Sequence, residues 1–325
     1  MLFSSCLLSL VFAQSILSLE NNYLPVFSSS KTYFGQSDPK IPTKDVNLTR
    51  FGLLPEYTWD QVVQSLAPDE KLFFLQRHGQ GWHNIARSYL KIPYSEWQCY
   101  WSIRDGKDGI EWYDADLTPK GKEQIAHLVD QIKNTEDFPL PEKFYVSPLR
   151  RTLKTWQLTW LNFPHKTALI KEYAREIYGI DTESERHNRT YIEENFPNFD
   201  FEPGFSEEDV NWSPSKREEG QHSEFRAATL LRDIFNDAQD EKVISIVLHS
   251  GIIYSILDVV QHRIFSIPTG GIIPVIVKME QQNKTYPLND AFSGFDEWCP
   301  PSLESDFKIE RTRGANHTVE KNIKE

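Results

Sequence analysis

The sequence is poor in cysteine. Three occur in 325 residues, Cys6, Cys99 and Cys299, with no C-x-x-C pair and no Cys/His spacing of the zinc-binding kind, so a structural zinc module is excluded. Positive charge is also scarce: 35 Lys and Arg stand against 47 Asp and Glu, a net charge of −12. Nucleic acid needs a basic surface to replace its counterions, so it is not an expected partner. Any anionic ligand must instead be caught by a local cationic pocket in an acidic surface. Long apolar runs are missing as well. The apolar stretch at residues 2–12 is too short to cross a bilayer, and no membrane span is expected. What remains is 39% hydrophobic and 13% aromatic, enough for a sizeable core.

The first twenty residues, MLFSSCLLSLVFAQSILSLE, hold no Lys or Arg. An apolar stretch is followed by the small residues Ala13 and Ser15, the pattern of a secretory signal with a weak n-region. We expect residues 1–19 to be cleaved and the protein to enter the secretory pathway or be secreted. Without cleavage it would be cytoplasmic. Asn-x-Ser/Thr sequons at Asn47, Asn188, Asn211, Asn283 and Asn316 lean toward a secreted glycoprotein. Removal of the signal leaves Cys99 and Cys299, either as one disulfide or as two buried free thiols.

Along the chain, residues 21–68 read as a loop-rich lead-in with a short helix near 59–66. LFFL (72–75), KFYV (143–146), TALI (167–170), VISIVL (243–248) and GGIIPVIVKM (270–279) read as strands. Pro274 places the last of them at an edge or a bulge. Helices are expected at 82–90, at 119–133 with Thr118 as N-cap before Pro119, after Ser147, from a Ser223 cap to about 235, and at 251–260. Residues 91–116 read as an aromatic surface excursion and 179–222 as a long aperiodic insertion. Strands alternating with helices predict an α/β fold, a three-layer α/β/α sandwich with a mainly parallel central sheet. One domain is expected over 20–290, followed by a polar, disordered tail over 291–325.

Three of these strands run into cationic or titratable residues. LFFL ends in Gln76-Arg77-His78, KFYV in Ser147-Pro148-Leu149-Arg150-Arg151, and VISIVL in His249-Ser250-Gly251. In open parallel sheets ligands bind beyond the carboxyl ends of the strands. Any one such ending is ordinary; three together point to a site. Two histidines and two arginines suit a phosphoryl group: arginine offers a planar fork to phosphate oxygens, and a neutral imidazole can attack phosphorus. Gly79 and Gly81 would let backbone N–H groups approach the phosphate.

RHGQGWHN (77–84), LTPKGKEQ (117–124), SPLRRTLKT (147–155) and VLHSG (247–251) resemble, in order, the signature blocks of the histidine phosphatase superfamily. With YWS (100–102), EW (111–112) and TG (269–270), the chain is similar to its fungal phosphomutase-like branch. The resemblance spans about residues 50–280 and implies a phosphoglycerate mutase-like fold. It implies His78 as the nucleophile, Arg77, Arg151 and Asn84 as phosphate ligands, and His249, protonated, as a donor completing the pocket. Arg150 falls outside the matching position. For the general acid it points to Glu176, with Asp181, Glu183 and Glu172 as rivals. The implied function is a metal-independent phosphomonoester phosphatase, with no cofactor, acting on a small-molecule phosphomonoester. A phosphomutase using the same site and a non-catalytic phospho-ligand binder are the alternatives. Trp82, Trp97, Trp101 and Trp112 serve either as core or as a stacking surface for the leaving group.

Overall fold

A computed structural model describes residues 22–164, 167–289 and 291–304. The expected signal peptide, the sequon at Asn316 and the last part of the tail lie outside the described residues. In chain order the main elements are β1 (Tyr23–Ser29), α1 (Trp59–Gln64), β2 (Glu70–Arg77) and α2 (Trp82–Tyr89). Then come the hairpin β3 (Gly106–Lys107) and β4 (Ile110–Glu111), α3 (Pro119–Asn134), β5 (Lys143–Val146), α4 (Arg150–Trp160), β6 (Ala168–Ile170) and α5 (Arg189–Asn195). They are followed by β7 (Phe199–Phe201), β8 (Lys216–Glu218), α6 (Gly220–Asp237), β9 (Val243–Leu248), α7 (Ser250–Val259), β10 (Ile272–Thr285) and β11 (Phe292–Gly294).

Among the described residues, seven strands form the central sheet in the order β1-β10-β2-β9-β5-β6-β7. β2, β9, β5, β6 and β7 run parallel, while β10 is antiparallel to both β1 and β2. Successive side chains on a strand face opposite ways, and the core divides accordingly. Phe73, Leu75, Tyr145, Ile244, Ile246 and Leu248 pack against α6 and α7 on one face. Leu72, Phe74, Phe144, Val146, Val243 and Val247 pack on the other against Trp59, Leu128, Ile132, Leu153, Trp156 and Trp160. The central strands are therefore apolar throughout because both faces are covered, which is the three-layer architecture expected.

Four expectations need correction. β10 is an interior strand, so Pro274 is not on an edge strand. Its ring is tolerated because pairing with β1 ends where Ser30 donates to the Ile276 carbonyl. Alternation turns the Pro274 nitrogen to that same side, beyond the reach of β1, so no ladder bond is lost. α6 begins at Gly220 with Glu219 as its N-cap; Ser223 lies inside the first turn and donates to the Gly220 carbonyl at 3.0 Å. The insertion at 179–222 is not shapeless: it supplies α5, β8 and β7, the edge strand of the main sheet. Finally, the tail does not begin at 291. β11 pairs with β8, and Cys299 is joined to Cys99 in a disulfide. The aromatic excursion at 91–116 folds beneath this clasp, with Trp112 fully buried and the Trp97 ring tilted against it at 4.9 Å between centres. Trp97, Trp101 and Trp112 form a packed cluster, while Trp82 is half-buried against Tyr89.

Candidate active site

The carboxyl ends of β2, β5 and β9 are neighbours in the sheet, which brings the three charged endings together. His78 follows β2, and its ring centre lies 5.0 Å from that of His249, which follows β9. Arg151 opens α4 after β5, is fully buried, and donates from Nε to Nδ1 of His249 at 3.2 Å. Two residues of the site are thus in direct contact, and the third is packed against them.

The loop after β2 is fixed from several sides. The His78 amide donates to the Leu248 carbonyl and its carbonyl accepts from the Gly270 amide; Arg77 N donates to the Gly271 carbonyl. The LTPKGKEQ block holds Gln80: Thr118 N donates to the Gln80 carbonyl, and Gln80 N donates to Oε1 of Gln124 at 2.9 Å. Gly79 and Gly121 are the point of closest approach. A Cβ on Gly79 would stand 2.7 Å from the Gly121 carbonyl, and one on Gly121 would collide with the Gln80 backbone. These glycines are required by backbone packing. The expected role of the Gly79 and Gly81 N–H groups is corrected: Gly79 N donates to Thr155 Oγ1 at 3.0 Å and Gly81 N to Asn84 Oδ1 at 2.9 Å, so both are already engaged.

His78 is 1% exposed. Its Nδ1 lies 2.7 Å from the Gly79 carbonyl; a carbonyl only accepts, so Nδ1 carries the proton and Nε2 the lone pair. Burial, then the Arg151 guanidinium and more weakly Arg77, hold this imidazole well below its ordinary range; the Gly79 bond opposes them. His249 is also held well below, by burial and then by Arg151. Since its Nδ1 accepts from Arg151, its Nε2 donates to Ser147 Oγ at 2.8 Å. His249 is therefore neutral here, which corrects the protonated form expected: a cation cannot accept from a guanidinium.

Arg77 donates from Nη1 to the Ile267 carbonyl at 2.9 Å, and its buried Nε has no hydrogen-bond partner. Such an orphan donor is costly unless a ligand satisfies it. Asn84 is exposed and caps its own helix, donating from Nδ2 to Nε2 of His83 at 2.8 Å. Arg150 turns away to Glu111 at 3.3 Å.

The carboxylates separate clearly. Glu176 sits at the start of α7, accepting from the Gly251 amide at 3.2 Å, Ser250 Oγ at 3.4 Å and its neighbour Ile177 N at 3.0 Å. Its charge is felt at Arg77. Glu183 accepts from Arg151 Nη2 at 2.7 Å. Asp181 is buried and paired with Arg217 at 2.9 Å. Glu172 belongs to a framework network with Arg175 at 2.5 Å and Arg186 at 3.0 Å. Sequence reading gave His83 no role at the phosphate site, although its ring centre is 5.3 Å from that of His78; its adjacency to Asn84 in RHGQGWHN was the available signal. It also passed over Arg226, which is fully buried with Glu218 and donates to the carbonyls of Tyr173, Arg175 and Glu176, clamping the turn that carries Glu176. Among the described residues, no group of three or more His, Cys, Asp or Glu side chains is disposed to hold a metal ion.

The profile described as "Histidine phosphatase superfamily (branch 1)" matches residues 95–266, a stretch that holds Arg151, Glu176 and His249 and begins after His78. "Phosphomutase-like protein 3" of Candida albicans is 62% identical over 278 residues, covering 85% of this chain and 88% of that protein. "Probable phosphoglycerate mutase" of Arthroderma benhamiae is 37% identical, covering 78% of this chain and 79% of its own. "Probable phosphoglycerate mutase PMU1" of Saccharomyces cerevisiae is 32% identical, covering 69% and 81%.

Proposed function

The chain belongs to the histidine phosphatase superfamily, and from that premise we propose that it hydrolyses phosphomonoesters through a phosphohistidine on His78, with no metal ion taking part. The observation that carries this is the locked tautomer of His78. With Nδ1 committed to the Gly79 carbonyl, the Nε2 lone pair is free for in-line attack on phosphorus. Arg77 and Arg151 supply the charge that the transferring phosphoryl group needs, and the unpartnered Nε of Arg77 has a place for one of its oxygens. His249 holds the Arg151 guanidinium from one side. Asn84, at the mouth of the pocket, is a further ligand once its cap opens. Glu176 protonates the leaving alkoxide, then takes a proton from the water that attacks the phosphohistidine. Two displacements of lower barrier replace one.

A mutase reading is favoured by one observation, the printed names of the fungal relatives. It uses the same residues but returns the phosphoryl group to the product and excludes water from the intermediate. We further propose that the protein works in the secretory pathway or outside the cell, where a Cys99–Cys299 disulfide persists.

The test is phosphate release from an aryl phosphate in excess chelator, with rapid acid-free quenching to trap base-stable protein-bound phosphate. Turnover and trapped phosphate in the wild type, both lost in His78→Ala, are expected. Equal turnover in both would sink the proposed nucleophile. Isomerised product without free phosphate from a phosphorylated glycerate or sugar would move the assignment to the mutase.

A further inference from the structure

The resting site is electrically balanced, which is a poor reception for a dianion. Arg77 feels the charge of Glu176, and Arg151 is paired with Glu183. His78, His83 and His249 are held neutral, by burial first and then by Arg151. Two guanidinium groups face two carboxylates in a protein of net charge −12.

Every donor of Arg151 with a partner is spoken for from inside the protein. Nε goes to His249 at 3.2 Å, Nη1 to the Glu183 carbonyl oxygen at 2.7 Å, and Nη2 to Glu183 Oε2 at 2.7 Å. A carboxylate on a guanidinium has the charge and hydrogen-bond geometry of one edge of a phosphoryl group. The backbone under Glu183 is pinned: Thr182 Oγ1 donates to the Arg104 carbonyl at 2.7 Å, and Arg175 Nη2 to the Ser184 carbonyl at 2.5 Å. The carboxylate is not pinned in the same way. Its ring neighbour is His83, a neutral imidazole whose Nε2 lies 3.9 Å away and accepts from Asn84. The side chain can rotate off Arg151 while its carbonyl stays in place.

We propose that Glu183 is a built-in competitor for the phosphoryl group, occupying the Nη2 edge of Arg151 in the free protein and yielding it when the carboxylate swings away or takes up a proton. This rests on reading Arg151 as a phosphate ligand. The groups facing Glu183 are Arg151, Glu176, Asp181, Arg217 and His83. Burial, with Glu176 and Asp181, pushes its carboxyl up to about 7 against the opposing pull of Arg151 and Arg217, so its charge changes near neutrality. The apparent Kd of any phosphoryl ligand is the intrinsic Kd divided by the fraction of molecules in which the edge is open. That fraction shrinks as pH rises past neutral.

Inorganic phosphate is the probe, titrated calorimetrically into wild type, Glu183→Gln, Glu183→Ala and Arg151→Ala between pH 6 and 8.5. At pH 8 both Glu183 variants should bind phosphate about tenfold more tightly than wild type, and the ratio should close toward one at pH 6. Taking the ratio cancels the titration of phosphate itself. Equal affinity in wild type and both Glu183 variants, with Arg151→Ala weakened, would overturn the competitor and leave the phosphate site standing. Absence of binding in every protein would sink the phosphate site and the competitor together. Lost turnover in Glu183→Gln with unchanged phosphate affinity would make Glu183 a proton donor, which also overturns it.

Discussion

At the scale of single residues, the protein keeps three imidazoles uncharged in one place, and this has a cost that pH exposes. His78, His83 and His249 sit well below their ordinary value of 6.5 when folded. In the unfolded chain they titrate normally. Below pH 6.5 the unfolded state therefore binds protons that the native state refuses, and stability falls as pH falls. Thermal melts should show a midpoint that drops from pH 7 to pH 5, with a shallower drop in His83→Asn. The same depression keeps His78 nucleophilic in mild acid, so the acid limb of the rate profile should lie well below 6.5. Glu176 offers a second test. Aryl leaving groups are weak bases and need little protonation, whereas alkoxides need much. Glu176→Gln should reduce hydrolysis of an alkyl phosphate by about 10²–10⁴ and of an aryl phosphate far less; equal losses would remove it from the acid role. His78, Arg151 and His249 were legible in the sequence because each follows a recognisable strand within a spaced block. The Arg151–Glu183 contact was not, because it joins residues 32 apart through an aperiodic segment.

At the scale of elements, the chemistry depends on parts that do none of it. Arg226 on α6 and Glu218 on β8 form a fully buried pair at 2.6 Å; burial pushes the Glu218 carboxyl up, but Arg226 and His222 outweigh it and hold the carboxyl down at about 2. Removing one partner strands the other: Arg226→Ala should cost about 3–5 kcal/mol in denaturant unfolding and lower kcat by loosening the Glu176 turn. The α3 contact makes a separate case. Gly121→Ala drives a methyl into the Gln80 backbone, shifting the loop that carries His78. A misplacement of about 1 Å is worth about 10² in rate, so kcat should fall by that order while Tm changes by a few degrees; an unchanged kcat would mean the loop is not held by this contact. The strands were legible because apolar runs of four to six residues leave little else for the backbone to do. The start of α6 departs from expectation because Ser223 is a good cap in isolation, whereas the helix extends back to Gly220, where β8 delivers the chain.

At the scale of the whole molecule, the Cys99–Cys299 bond closes a span of 200 residues and joins the aromatic excursion to the end of the described chain. The entropy it removes from the unfolded state amounts to about 5 kcal/mol in the chain-entropy picture. Reduction, or Cys299→Ser, should lower Tm and release the segment at 292–304 to proteolysis; a melt indifferent to reductant would mean the pair contributes nothing. This bond was one of two readings open to the sequence, since only the fold brings two distant cysteines face to face. The parallel sheet was foreseeable from alternating strands and helices. Its strand order was not, because β2 and β9 are adjacent across some 170 residues that share no local signal.

That adjacency, together with the grip on the loop after β2, has a consequence for how His78 meets solvent. The amides of His78, Gly79 and Gln80 are bonded respectively to β9, α4 and α3, and α4 packs against both α3 and β9. Deuterium should therefore reach these amides only when the sheet itself comes apart, making this short loop one of the slowest-exchanging segments of the protein.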